Sequence, residues 1–209
     1  LPARRVPFSR VGVDCAPNFV ETATREAAEG GVKNTLFFAG DVQSTDLRGP
    51  YDRAFSRFGT MFFSFPGAAL RNVRRALAPG GDLTFVVWRR REDNAWAHEA
   101  ELCVRGIVPV VSHEETSQVH CGPGPFSMAS ADVVSDLLQG SGFTRIALER
   151  FDTDIRIGQD LDDAVAFAMM LGPAGEILRL AGEAGEARRD EVTAGLRVSL
   201  GRYLPDDGA

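Results

Sequence analysis

Arg10-Val11-Gly12-Val13-Asp14 and Thr35-Leu36-Phe37-Phe38-Ala39-Gly40-Asp41-Val42 are the two stretches that decide the fold. Each is a short apolar run closed by an acid. Between them, Phe19, Val20, Ala23 and Ala27 recur at helical spacing behind Pro17, which suits a first helical turn. Gly30-Gly31 ends that helix. Strand, helix and strand in this order predict a βαβ unit, and such a unit requires a parallel sheet.

The pattern continues outward from this unit. Gly49-Pro50 marks a turn, and Tyr51 to Phe58 reads as a third strand running into a loop. Ala68 to Ala78 is helical, with Leu70, Val73 and Leu77 on one face, and Pro79-Gly80-Gly81 breaks it. Asp82 to Trp88 holds an uninterrupted apolar run, as expected of a strand covered on both faces. Further on, Trp96 to Gly106 is helical, and a loop-rich stretch runs through Gly122-Pro123-Gly124-Pro125. Ser130 caps a helix through Gln139, Thr144 to Phe151 reads as a strand, and helices follow from Asp160, including Leu161 to Leu171. The expected fold class is α/β: a doubly wound, mostly parallel Rossmann-like sheet, incomplete at both ends, with a helical C-terminal segment. One domain over residues 1–209 is expected, with residues 1–88 as a nucleoside-binding half and 89–209 as an acceptor-side half.

Composition narrows the function classes. The 209 residues are 44% apolar and 25% charged, the balance of a globular chain. A net charge of -6, with only short basic runs such as Arg89-Arg90-Arg91, argues against a nucleic-acid partner. No apolar stretch approaches the roughly 20 residues of a membrane span. Leu1 to Arg10 has no apolar core of the secretory kind. Three cysteines, Cys15, Cys103 and Cys121, with no CxxC pair, point to a reducing cytoplasm rather than a disulfide framework. Lys33 is the only lysine among many arginines, a bias expected of a GC-rich bacterial genome.

In an open parallel sheet, ligands bind beyond the carboxyl ends of the strands. A carboxylate at Asp14 can accept from both hydroxyls of a ribose, because a diol presents two donors close together. Asp41 can accept from an exocyclic adenine amine while the Val42 amide meets a ring nitrogen. Ser56-Arg57-Phe58 would lie beneath the reactive end of such a cofactor. Either acid taken alone also suits a plain turn or cap. Two acids on successive βα turns favour adenosine.

Val11-Gly12-Val13-Asp14, Gly40-Asp41-Val42, Phe55-Ser56-Arg57-Phe58-Gly59 and Met61-Phe62-Phe63, taken in order, resemble the class I S-adenosylmethionine-dependent methyltransferases. Leu77-Ala78-Pro79-Gly80-Gly81 is similar to that family's turn before its fifth strand. Asn94-Ala95-Trp96 and Gly124-Pro125-Phe126 resemble the bacterial small-molecule branch related to ubiquinone- and menaquinone-type enzymes. The resemblance implies S-adenosylmethionine as cofactor. It implies Asp14 for the ribose, with Cys15 and Ala16 beside the adenosine, Asp41 and Val42 for adenine, and Ser56, Arg57 and Phe58 along the methionine side. Phe62, Trp88, Trp96 and Phe126 would face a small-molecule acceptor, although Phe62 and Trp88 would serve equally as core aromatics. No catalytic residue is assigned. The family's first strand and glycine-rich turn should precede Arg4-Arg5-Val6, and nothing precedes Leu1. A final strand is likewise not found before Ala209. The expectation is therefore a sequence clipped at both ends, with weak or no cofactor binding.

A nicotinamide oxidoreductase could use Asp14 for its ribose, but its short-chain branch needs Tyr-x-x-x-Lys, and Tyr51 and Tyr203 are followed by Phe55 and Asp207. A zinc site fails on spacing. Neither His98-Glu99 nor His113-Glu114 has a second histidine four residues on, and adjacent His120-Cys121 chelates poorly. A non-catalytic binding or scaffold domain on the same fold stays open.

Overall fold

The computed structural model describes residues 10–108 and 124–204. These fall into two compact units. One comprises residues 10–86 with 131–147, and the other residues 87–108, 124–130 and 148–204. Among the described residues no single helix is long and apolar enough to cross a membrane.

In the first unit β1 (Arg10–Asp14) leads into α1 (Pro17–Glu29) and back to β2 (Thr35–Ala39). The expected βαβ unit is present, and β1 pairs with β2 in parallel, Gly12 opposite Phe37. A Cβ on Gly12 would lie 2.5 Å from the Phe37 ring, so only glycine lets that ring cover the strand. Pro17 opens α1, and after the Gly30 cap Gly31 takes φ +68, the left-handed conformation glycine adopts freely. The second strand pair, β3 (Tyr51–Arg57) and β4 (Leu77–Val86), is also parallel and flanks α2 (Pro66–Ala76). Among the described residues the strands thus form two separate two-stranded parallel sheets rather than one continuous sheet. α4 (Ala131–Gly140) packs on α2.

Two boundaries differ from the sequence reading. β4 starts at Leu77 because that residue pairs with Tyr51, so Pro79-Gly80-Gly81 becomes an irregularity within the strand pair instead of a break before it. Thr144 to Phe151 forms no strand, and Phe151 is 80% exposed. An apolar run becomes a strand only when a neighbour takes up its backbone hydrogen bonds, and no described strand does so here.

The first unit is only shallowly packed. α1 buries no residue, and the buried apolar side chains come mainly from Met61, α2, the start of β4 and α4. Its turn after β2 is held from α2. The Asn72 side-chain amide, buried, donates to the Val42 and Thr45 carbonyls at 2.8 and 2.7 Å.

The second unit is helical: α3 (Ala95–Ile107), α5 (Leu161–Met170), α6 (Pro173–Ala181), the short α7 (Glu183–Glu186) and α8 (Arg189–Gly201). Asp160 caps α5 by accepting from the Asp163 amide at 2.9 Å. Its core gathers Val104 of α3, Ala168 of α5, Leu178 of α6, and Val192 and Leu196 of α8. Within it the Glu101 carboxylate, 7% exposed, accepts from Arg91 at 2.6 and 2.7 Å and from Arg105 at 2.8 Å. A buried carboxylate is tolerable only with such partners. The pairing fixes the turn at Arg91–Asp93 against α3.

Leu196 is fully buried, so Leu196→Ala removes core contacts and leaves a cavity worth about 2 to 5 kcal/mol. Both tryptophans, Trp88 and Trp96, lie in this unit, so urea unfolding followed by their fluorescence reads it directly. A clearly lowered midpoint is expected; an unchanged midpoint would contradict this packing.

Candidate functional site

β1 and β2 run in the same direction and in register, with Asp14 opposite Ala39, so their carboxyl ends deliver Asp14 and Asp41 onto neighbouring turns. One hydrogen bond joins these turns. The Gly40 amide donates to the Asp14 carbonyl at 2.9 Å. Both carboxylates are exposed, and among the described residues neither joins a salt bridge.

Each aspartate also does the local work its position suggests. Asp14 Oδ1 accepts from the Ala16 amide at 2.8 Å, bracing the turn into α1. Asp41 Oδ1 accepts from the Gln43 amide at 2.9 Å, and the Asp41 carbonyl accepts from the Ser44 and Thr45 amides. These turn contacts do not exhaust either group, since an ionised carboxylate offers about four acceptor sites. Cys15 is exposed and Ala16 half-buried beside Asp14. Val42 is half-buried beside Asp41, its carbonyl taken by Asn72.

Ser56, Arg57 and Phe58 sit at the carboxyl end of β3. Phe58 extends the ladder by donating from its amide to the Val86 carbonyl at 2.9 Å, and it adopts φ +56. A large residue held in the left-handed region costs roughly 1 to 3 kcal/mol, and such strain is concentrated where a fold must aim a turn. Gly59 follows, its missing side chain leaving room for Ser56 Oγ 3.0 Å from where a Cβ would stand. At the end of the short turn Thr60–Phe62, the Phe62 side chain is 54% exposed.

The remaining aromatic residues named from the sequence lie in the second unit. Trp88 and Trp96 are 5.8 Å apart between ring centroids, and Phe167 meets the Trp96 edge at 5.7 Å. Phe126 lies under the Arg91 guanidinium at 5.7 Å. The Trp96 indole N–H is buried with no partner among the described residues, and Gly172, at φ +88, leaves space that a Cβ would close to 3.1 Å from the indole ring. His98 lies on α3, whereas His113, Glu114, His120 and Cys121 lie outside the described residues. Among the described residues no three His, Cys, Asp or Glu side chains are gathered where they could hold a metal ion.

Sequence reasoning missed Gln43, Asn72 and Phe167. The Asp41-Val42-Gln43 spacing could have revealed the first, because a glutamine two residues past a turn aspartate folds back onto it. Asn72 carried a weaker signal, a polar residue between Leu70 and Val73 on an apolar helix face. Phe167 gave none.

Two thiols offer a check on these environments. Burial raises the Cys103 thiol above its ordinary pKa, with a hydrogen bond from Ser199 opposing in part, whereas Cys15 is exposed. Thiolate is the reactive form, and a raised pKa leaves less of it at a given pH. Iodoacetamide at pH 8, read by peptide mass spectrometry, should therefore label Cys15 several-fold faster than Cys103. Equal rates would contradict the placement of either residue.

Comparison with known proteins bears on the same region. Residues 2–81 match the family described as a methyltransferase domain. The YcgJ protein from Bacillus subtilis superposes with a TM-score of 0.53 at 20% identity, covering 86% of this chain and 70% of its own. The [4+2]-cyclase SpnF superposes with a TM-score of 0.50 at 19% identity, covering 96% of this chain and 64% of its own. The chain thus shares its α/β fold with YcgJ and SpnF, and residues 2–81 match the methyltransferase-domain family.

Proposed function

We propose that this chain binds S-adenosylmethionine through Asp14 and Asp41 and transfers its methyl group to a small-molecule acceptor. The observation that carries the reading is the joining of the two acidic turns by the Gly40 to Asp14 hydrogen bond. Two exposed, acceptor-only groups suit the donors of an adenosine: hydroxyls on the ribose for Asp14, the exocyclic amine for Asp41. Cys15 and Ala16 flank the first contact and Val42 the second. Ser56, Arg57 and Phe58 are assigned to the methionine side. The acceptor is assigned to the exposed aromatic ring of Phe62, in the same unit, whose character fits an apolar or planar molecule.

A sulfonium supplies a methyl group on an excellent leaving group. The protein's own task is then to align the acceptor with that carbon and keep water out, which proximity and orientation accomplish without a dedicated nucleophile. The fold alone does not fix the reaction, as the similarly folded [4+2]-cyclase SpnF illustrates. The reading therefore rests on the acidic turns. A non-catalytic domain on the same scaffold would retain the nucleoside contacts and lack transfer.

Isothermal titration tests the nucleoside assignment that both readings share and separates it from nicotinamide binding. S-adenosylmethionine is expected to bind in preference to NAD, and Asp14→Ala and Asp41→Ala should each weaken it about tenfold or more, the loss of a hydrogen bond to a charged group. Preference for NAD, or unchanged affinity in both variants, would overturn the proposal.

A further inference from the structure

The Asp41 carboxylate is held by one neighbour twice over. Gln43 donates its backbone amide to Oδ1 at 2.9 Å, and its side-chain Nε2 stands 3.0 Å from both Oδ1 and Oδ2. The same side chain reaches the other way: Gln43 Oε1 accepts from the Phe65 amide at 2.5 Å, 22 residues along the chain. Phe65 is the residue preceding α2 and offers no side-chain cap to that helix. Its amide is among the donors a helix start leaves unpaired.

From this geometry we infer that Gln43 is a positioning residue for base recognition, setting the plane of the Asp41 carboxylate and tying it to the start of α2. The inference rests on the assignment of Asp41 to the adenine amine. The terminal torsion of an aspartate is broad and roughly two-fold, so its own rotamer preference does not aim the carboxylate. A donor placed equally between the two oxygens does, and leaves the outward lone pairs of both available. The turn itself has a separate brace in Asn72, which holds the Val42 and Thr45 carbonyls. The side-chain amide of Gln43 therefore acts on the carboxylate rather than on the backbone of the turn. Because Gln43 is only half-buried, the Asp41 plane would swing without it, and discrimination between a base carrying an amine and one carrying a carbonyl would fall.

The test compares S-adenosylhomocysteine with S-inosylhomocysteine, which replaces the exocyclic amine by a carbonyl oxygen, on the full chain by isothermal titration. Wild type should prefer the adenosine ligand. Gln43→Leu, similar in shape but without polar groups, should cut that preference about tenfold, mainly through weaker binding of the adenosine ligand. Gln43→Glu keeps an acceptor for the Phe65 amide but has no side-chain donor for Asp41, so it should lose the preference comparably. It decides the matter if the leucine variant does not fold. A purely structural role would weaken both ligands alike and leave the ratio unmoved. Retention of the wild-type ratio in the glutamate variant overturns the inference while sparing the assignment of Asp41. Absence of any preference in wild type, or no binding of either ligand, overturns that assignment and this inference with it.

Discussion

The hydrogen bond from the Gly40 amide to the Asp14 carbonyl is the contact on which the functional reading depends. It continues the parallel β1–β2 ladder past its last paired residues, Asp14 and Ala39, and so fixes the spacing of the two turns that follow. Without it the two aspartates would be independent turn residues, each occupied with its own local amide. With it they form one acidic edge, exposed and outside any salt bridge among the described residues. Such an edge offers acceptors and no donors. That asymmetry selects for ligands rich in hydroxyl and amine groups.

The two units are stabilised by different means. The helical unit has a conventional apolar core, to which four helices turn small and branched side chains, and a buried Glu101 braced by two arginines. The α/β unit relies far more on polar ties: Asn72 to two carbonyls, Gln43 to Asp41 and Phe65, and the Tyr51 hydroxyl to the Leu47 carbonyl at 2.6 Å. Its described strands form two pairs rather than one sheet, and α1 buries nothing. Hydrogen bonds of this kind are individually modest but directional. They suit a region whose task is to hold turns at fixed angles.

Much of this was legible in the sequence because local signals agreed with one another. Pro17 and Gly30-Gly31 bracketed α1, and the acids after β1 and β2 stood where a parallel pair must present them. The family resemblance, carried by the order of short motifs, pointed to the fold that the comparisons support. Elsewhere local pattern was not enough. Thr144 to Phe151 had strand-like composition but found no partner strand, and pairing is a tertiary property. The left-handed Phe58 was hidden, because nothing in Arg57-Phe58-Gly59 says which residue will carry the positive φ. Gln43 was legible only in part: its spacing from Asp41 suggests the contact to that carboxylate, whereas its contact to Phe65 lies far along the chain and is invisible to periodicity.

The most direct measurement of the central claim is an amide chemical-shift titration of the isotope-labelled chain with S-adenosylhomocysteine. Resonances of Cys15 and Ala16 on one turn and of Asp41, Val42 and Gln43 on the other should move along a single saturation curve, as one ligand bridging both turns demands. Movement of only one turn, two unrelated midpoints, or shifts confined to the helical unit would contradict it.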